Sequence, residues 1–351
     1  MLSQNRTPDE VKNCSLFQLI KYSLSSEQCM KSVKSMDSLR PMKFNVKFEA
    51  PFNEKFKFSD LYPTHTITLT IFHGEQPDNN RSLSEDVHIH IVDDNLRFGV
   101  KKKMNFNGLI VRTDIEEENH IYTYWEIPIR GICHMLDYFS NLFNSPPIYE
   151  LKLGDKTADR REITSWIKKN RGSEVDYLNL DELNLITSKE MNCMLRKVKP
   201  TALTLNWITQ RDFRCELPRD LKFFSCSSDW LTKADLLNMN YELIDIEAKK
   251  INYQDISDFT TKCIEGGLPA LQYCKIKALD LKCNFAIIAN GIGHNKTSSS
   301  LKVEVENKKY TRFFSHIHGV YDYKRADGKT VTISSRDKGH LEFYLYVWTK
   351  Q

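Results

Sequence analysis

Two His-x-His pairs, His88-Ile89-His90 and His316-Ile317-His318, are the residues whose spacing comes nearest to metal chemistry. Side chains two apart on a strand share a face. Each pair would therefore hold two imidazoles together, an arrangement that suits zinc if a third ligand converges. An exposed strand face explains the same spacing without a metal. Cys263, Cys274 and Cys283 followed by His294 lack metal-ligand spacing and are read as core thiols. Gly291-Ile292-Gly293 is too bare for a phosphate loop. Trp125, Trp166, Trp207, Trp230 and Trp348 sit at periodicities that point to packing, and base stacking would need a basic groove. No catalytic residue, no metal and no cofactor are expected.

The bulk properties agree with that reading. The chain has 351 residues, 40% of them hydrophobic, enough for one large domain or two ordinary ones. No stretch approaches the roughly 20 apolar residues of a membrane span, and the polar start lacks a signal-peptide core, so a soluble protein of cytosol or nucleus is expected. Nine scattered cysteines without a C-x-x-C pair then read as reduced thiols. A net charge of +4, from 50 basic and 46 acidic residues, gives a solvated surface and no nucleic-acid footprint. The run Lys101-Lys102-Lys103 reads as a solvated turn.

The elements that must position these residues fall into four segments: 1–40, 41–127, 128–289 and 290–351. In the first, Leu16, Leu19, Ile20 and Leu24, then Met30 and Val33, give two short helices with a corner at Ser25-Ser26. Ser25 and Gln28 have capping-box spacing for the second helix, and Thr7-Pro8-Asp9-Glu10 repeats the device upstream. From Phe44 the apolar residues alternate through Val46, Phe48, Phe56, Phe58, Ile67, Leu69 and Ile71, and again through Val87, Ile89, Ile91, Leu96, Phe98 and Val100, as in an antiparallel strand-rich layer. Helical spacing returns from Pro128 and stops before Pro146-Pro147. The end of the chain is β again. A hairpin turns at Asp327-Gly328, the strand "HLEFYLYVW" follows it, and Asn290–Ser300 is the preferred loop before both.

The third segment carries a repeat of the form apolar-x-x-apolar-x-apolar: "IYELKL", "VDYLNL", "PTALTL", "LKFFSC", "YELIDI" and "LQYCKI". Its anchors Leu151, Leu178, Leu203, Phe224, Ile244 and Cys274 are 27, 25, 21, 20 and 30 residues apart. That spacing lies around the ~20–29-residue period of leucine-rich repeats, in which each unit gives a strand and a return helix. The stretches between have helical spacing, with caps at Thr187-Ser188 and Thr232. The expected fold class is thus α/β, a leucine-rich-repeat-like strand–helix solenoid with flanking antiparallel β layers and a short helical hook at the start. An ordinary doubly wound α/β layer is the alternative.

Three stretches together resemble nematode F-box proteins with a type-2 F-box-associated domain. "EVKNCSLFQLIKYSLSSEQCMKSVKS" is similar to the second half of an F-box. The most specific runs from "GICHMLDYFSNLF" to "LPRDLKFFSCSSDWLTKADLLNMNYELIDIEAKKINYQDISDFTTKCIEGGLPALQY", and the tail "GVYDYKRADGKTVTIS" with "YVW" completes the set. The likeness is closest over about 131–280. It departs at the start, where the Leu-Pro turn that normally opens an F-box is missing. The resemblance implies a non-enzymatic substrate-recognition subunit of a cullin-type ubiquitin ligase, with an unidentified protein as its substrate. It also implies that Leu16, Phe17, Leu19, Ile20 and Leu24 divide between the hook's own core and the groove of a Skp-family adaptor. Two alternatives stand beside this: the hook packs back on its own β layer, and the chain is a protein-binding module of the same fold that has lost ligase coupling.

Overall fold

The computed structural model describes residues 14–35, 42–47, 65–72, 84–94, 102–115, 119–153, 157–180, 186–208, 212–281, 284–292, 297–298, 302–303, 317–318, 321–337 and 340–348. The chain forms two compact units, Met1–Leu178 and Asn179–Gln351. Each is a mixed α/β structure built on its own strands.

In the first unit α1 (Leu16–Ser23) and α2 (Glu27–Lys34) make the expected pair of short helices. The capping differs from expectation. Ser26, not Ser25, caps α2 by accepting from Cys29 N at 3.1 Å, while Ser25 Oγ donates to Lys21 O of the preceding helix. The extended backbone at Ser26 puts its hydroxyl over the free N–H groups of α2. A true capping box sits one helix earlier, between Ser15 and Gln18. The Thr7–Glu10 device lies outside the described residues.

Strands β1 (Met42–Lys47), β2 (His65–Phe72) and β3 (Ser84–Asp93) pair antiparallel in sequence order. Next come β4 (Lys102–Phe106), β5 (Leu109–Ile115) and β6 (His120–Trp125). The layer is not wholly antiparallel, because the β4–β5 hairpin lets β6 return beside β3 in the same direction. On the far side β7 (Ile148–Lys152) lies parallel to β1, with β8 (Glu174–Asn179) next to β7. Phe56, Phe58 and the Leu96–Val100 alternation fall outside the described residues.

One face of this sheet is apolar. Phe44, Val46, Ile67, Leu69, Val87, Ile89, Ile91 and Ile121 are fully buried. Helix α3 (Pro128–Leu142) packs across β2, β3 and β6, and α4 (Thr157–Asn170) packs on α3. Gly131 permits the close approach of α3, since a Cβ there would lie 2.6 Å from Trp125 Cγ. The hook belongs to the same core: α1 packs on β3 and α2 packs on α3. Leu16 N donates to Glu85 Oε1 at 2.6 Å, and the Ser23 hydroxyl lies 2.8 Å from the Tyr138 hydroxyl.

The second unit contains α5 (Ser188–Lys197), β9 (Lys199–Ile208), β10 (Phe223–Ser228), α6 (Lys233–Asn238), β11 (Leu243–Ala248), α7 (Tyr253–Ile264), β12 (Tyr273–Ala278) and α8 (Phe285–Gly291). Strands β9, β10, β11 and β12 are parallel and adjacent in chain order. Their anchors are in register, so Leu203, Phe224, Ile244 and Cys274 form one buried row and Leu205, Cys226, Ile246 and Ile276 the next. Helices α6, α7 and α8 pack successively against one another. Thr187 and Thr232 cap α5 and α6 as expected, and an Asn252–Asp255 capping box starts α7.

Short strand β13 (Thr297–Ser298) pairs with Tyr321 and Asp322, and β14 (Lys302–Val303) pairs with β15 (Ile317–His318) in a separate ribbon. The antiparallel trio β16 (Tyr321–Lys324), β17 (Thr330–Asp337) and β18 (Leu341–Trp348) then continues the sheet, with β18 against β12. A two-residue turn at Asp327-Gly328 would need positive φ at both residues, and only Gly328 has it, at 88°. A five-residue connection, closed by Gly328 N donating to Arg325 O, replaces the two-residue turn. Asn290 and Gly291, read as loop, end α8 instead.

Two outcomes follow from this packing. Leu203→Asp places a carboxylate in the buried row and should abolish cooperative melting of the second unit, a loss of at least about 4 kcal/mol. Changing Leu19 and Ile20 together to Ser should destabilise the first unit by about 4 kcal/mol or more, because both side chains are lost from a closed core. Denaturant unfolding followed by circular dichroism checks both, and unchanged midpoints would contradict the packing described.

Candidate protein-interaction face

The sheet of the second unit has two chemically distinct faces. Side chains at the anchor positions are buried. Those between them form rows on the other face. The first row runs Ala202, Phe223, Leu243, Tyr273, Tyr346, Thr332, and the second runs Thr204, Ser225, Asp245, Lys275, Tyr344, Ser334. A third contains Asn206, Ser227, Glu247, Lys277, Glu342 and Arg336.

The antiparallel half of this face is closed. Tyr344, Tyr346, Thr332, Ser334 and Glu342 are buried, and Tyr344 Oη donates to Glu342 Oε2 at 2.8 Å. Trp348 Nε1 donates to Thr332 Oγ1 at 2.8 Å, and that hydroxyl donates to Asp322 Oδ1 at 2.6 Å. Leu243, Tyr273, Tyr344 and Tyr346 form one apolar cluster, with Phe223 and Trp348 at its partly buried margin.

The parallel half is accessible. Ser225, Ser227, Asp245, Glu247, Lys275 and Lys277 are each partly exposed. Two cross-strand ion pairs hold it in order: Lys275 Nζ to Asp245 Oδ1 at 3.5 Å and Lys277 Nζ to Glu247 Oε2 at 2.8 Å. Burial raises the Asp245 carboxyl above its ordinary pKa, with Lys275 opposing the shift. Charged rungs beside the partly buried Phe223 give a surface that sets fixed polar groups next to an aromatic edge. A separate cavity of about 540 Å³ is walled by Leu217, Met239 and Tyr241, and Tyr241 packs on Phe224 of the buried anchor row. Its Asp235 carboxylate is occupied in the α6 cap, and Tyr241 Oη donates to Pro218 O.

The residues expected to contact an adaptor lie elsewhere. Leu16, Phe17, Leu19 and Ile20 are buried, Leu16 and Ile20 completely, and Leu24 is half-buried at the corner of the hook. They fill the core of the first unit.

The first His-x-His pair does gain a third imidazole. His88 and His90 on β3 meet His120 on β6, with His120 stacked on His88 at 4.9 Å and on His90 at 5.1 Å. The geometry serves hydrogen bonding. His90 Nε2 lies 2.8 Å from His120 Nδ1, and Thr66 and Thr68 hydroxyls reach Nδ1 of His90 and His88. Among the described residues no group of three or more His, Cys, Asp or Glu side chains is arranged to hold a metal ion. His316 and the side chain of His318 lie outside the described residues. Cys263 and Cys274 are fully buried. Burial pushes the Cys263 thiol up to about 11 and Cys274 well above the ordinary value, so neither supplies a thiolate. Cys283 and His294 are outside the described residues. Trp230 is buried edge-on to Phe213, and Trp166 Nε1 donates to Asp137 Oδ1. No described helix is long and apolar enough to cross a membrane.

Residues 212–276 match the F-box associated family. This stretch spans β10, β11 and most of β12, and so contains every accessible residue named above except Lys277. It lies within the 131–280 region of closest resemblance. No curated protein and no solved structure matches the chain.

The imidazole stack makes the first unit sensitive to acid. Burial, then the neighbouring His120 and His88, lower the His90 pKa from its ordinary 6.5 to about 4. The unfolded chain therefore takes up this proton first, so the stability is complete above the ordinary value and falls as pH drops toward about 4. Between pH 7.5 and pH 5 the loss through this group should be about 2 kcal/mol. Urea unfolding of the wild type and of His90→Gln checks it: the variant should show a flatter pH dependence, and an identical slope would contradict the assignment.

Proposed function

We propose that this chain is the substrate-recognition subunit of a cullin-type ubiquitin ligase, holding a protein target on the accessible face of β10, β11 and β12. The observation that carries this reading is that the F-box associated match and the accessible face fall on the same strands. A row of parallel strands with their helices on one side presents exposed positions that can vary without disturbing the core. Chain-ordered strands and successively packed helices support a leucine-rich-repeat-like solenoid, since a doubly wound layer reverses strand order and covers both faces. The protein acts by binding, without catalytic residues or cofactor, in cytosol or nucleus. In this reading α1 and α2 belong to the F-box of a protein similar to the nematode type-2 class, and a Skp-family adaptor takes α1 once it lifts from β3.

The burial of Leu16, Leu19 and Ile20 favours a second reading, a protein-binding module of the same fold without ligase coupling. Side chains that fill the protein's own core are withheld from a partner. Coprecipitation of the intact chain with a Skp-family adaptor separates the two: retention supports ligase coupling, and target capture without adaptor supports the module.

Both readings share one expected outcome. Replacing Ser225 and Ser227 with Arg fills the accessible face with long charged side chains at positions that are not in the core. Proteins that copurify with the wild type should be lost, while the melting temperature changes little. Undiminished copurification with the double variant would contradict a target site on this face.

A further inference from the structure

Among the described residues β4 is the last strand on its side of the first unit's sheet, with β5 as its one neighbour. We propose that this edge takes an extended acidic segment of another protein as an added strand, paired antiparallel to β4. The surface belongs to the first unit and does not depend on the target face of the second.

The hairpin decides which backbone groups face the edge. It turns in two residues, Asn107 and Gly108, at φ 51° and 88°, and its last pair is Phe106 with Leu109. In a turn of this kind the flanking pair exchanges both main-chain hydrogen bonds, and bonded and non-bonded pairs then alternate along the strands. Phe106, Met104 and Lys102 therefore bond to β5, while the N–H and C=O groups of Lys103 and Asn105 face the open side. Such a row is a template for strand addition. The edge is also held in place. Phe106 is fully buried and edge-on to Tyr138, its carbonyl accepts from His134 Nε2 at 2.8 Å, and Asn105 Oδ1 accepts from Gly108 N at 2.7 Å. An edge already ordered loses little freedom on binding.

The side chains select the partner. Lys102 and Lys103 are exposed, and neither has an ion pair among the described residues. Lys103 stands directly opposite Arg112, a like charge, which is unfavourable across two strands. Arg112 Nη1 donates to both carboxylate oxygens of Asp94, at 3.0 and 2.9 Å, so that acid is already engaged. Asp114, two residues along the same face of β5, forms no ion pair with Lys103. Carboxylates on an added strand would supply the missing counter-charge. A second copy of β4, which has two lysines and no acid, would not. An antiparallel strand passes Met104, then Lys103, then Lys102. Met104 is half-buried and pairs with the buried Val111, so it favours an apolar neighbour, and the lysines favour two acids. The pattern read in the partner is apolar-acidic-acidic within a strand-forming stretch.

The test uses the intact chain and the dye-labelled peptide Gly-Ser-Thr-Val-Glu-Glu-Thr-Ser-Gly, with binding read by fluorescence anisotropy. Saturable binding is expected, weakened about tenfold when Lys102→Ser and Lys103→Ser are combined. Both positions are exposed, so the double variant should melt as the wild type does. N-methylation of the first glutamate, which lies opposite Lys103, removes a main-chain donor aimed at the edge without changing charge, and should abolish binding. N-methylation of the valine, whose N–H faces away from β4, should be tolerated. The Ser225/Ser227 variant should bind the peptide as the wild type does, so this edge and the target face stand or fall separately. No binding of the parent peptide, equal binding of the two N-methylated peptides, an affinity unchanged in the lysine variant, or equal binding of a peptide with lysines in place of the glutamates would overturn the proposal.

Discussion

In-register parallel pairing of β9 to β12 is the constraint on which the second unit depends. A strand has a period of two, so aligning one anchor per strand aligns every other position as well. Once Leu203, Phe224, Ile244 and Cys274 share a buried row, Ser225, Asp245 and Lys275 must share a row on the opposite face. A slip of one residue would place Asp245 among the helices and Ile244 outside. The core of the unit and its proposed binding face are thus two consequences of one register.

The same constraint explains why half of the face is closed and half accessible. Where β18 joins β12, Tyr344 and Tyr346 come into register with Lys275 and Tyr273, and their rings cover their neighbours. Along β10 to β12 the second and third rows hold Ser, Asp, Glu and Lys, and the charged members pair across strands. For partly buried pairs of this kind the cost of desolvation offsets much of the attraction. Their effect is to fix the pattern of charge that a partner meets.

Much of this was legible from sequence because it rests on local rules. The anchors of the repeat, the helices between them and the caps at Thr187 and Thr232 follow from apolar spacing and from side chains that bond their own backbone. Other features depend on what lies across the fold. Ser25 and Ser26 are chemically equal, and only the backbone path makes Ser26 the cap. His120 carries no signal that it will stack with His88 and His90, because the parallel pairing of β3 with β6 is long-range. Asn107-Gly108, both at positive φ, was a readable hairpin turn and marks β4–β5 directly. The apolar face of α1 was plain in the sequence, but its owner was not, since Leu16 and Ile20 fit an adaptor groove and the first unit's core equally by composition.

The most direct test of a target site on β10–β12 is site-specific photocrosslinking in cells. A photoreactive amino acid is placed at Ser225, at Ser227 and, as a reference outside the face, at Lys189 in the first turn of α5. With the target on this face, the same protein is crosslinked from positions 225 and 227 and not from 189. Crosslinking of that protein from 189 alone, or equally from all three positions, would contradict it.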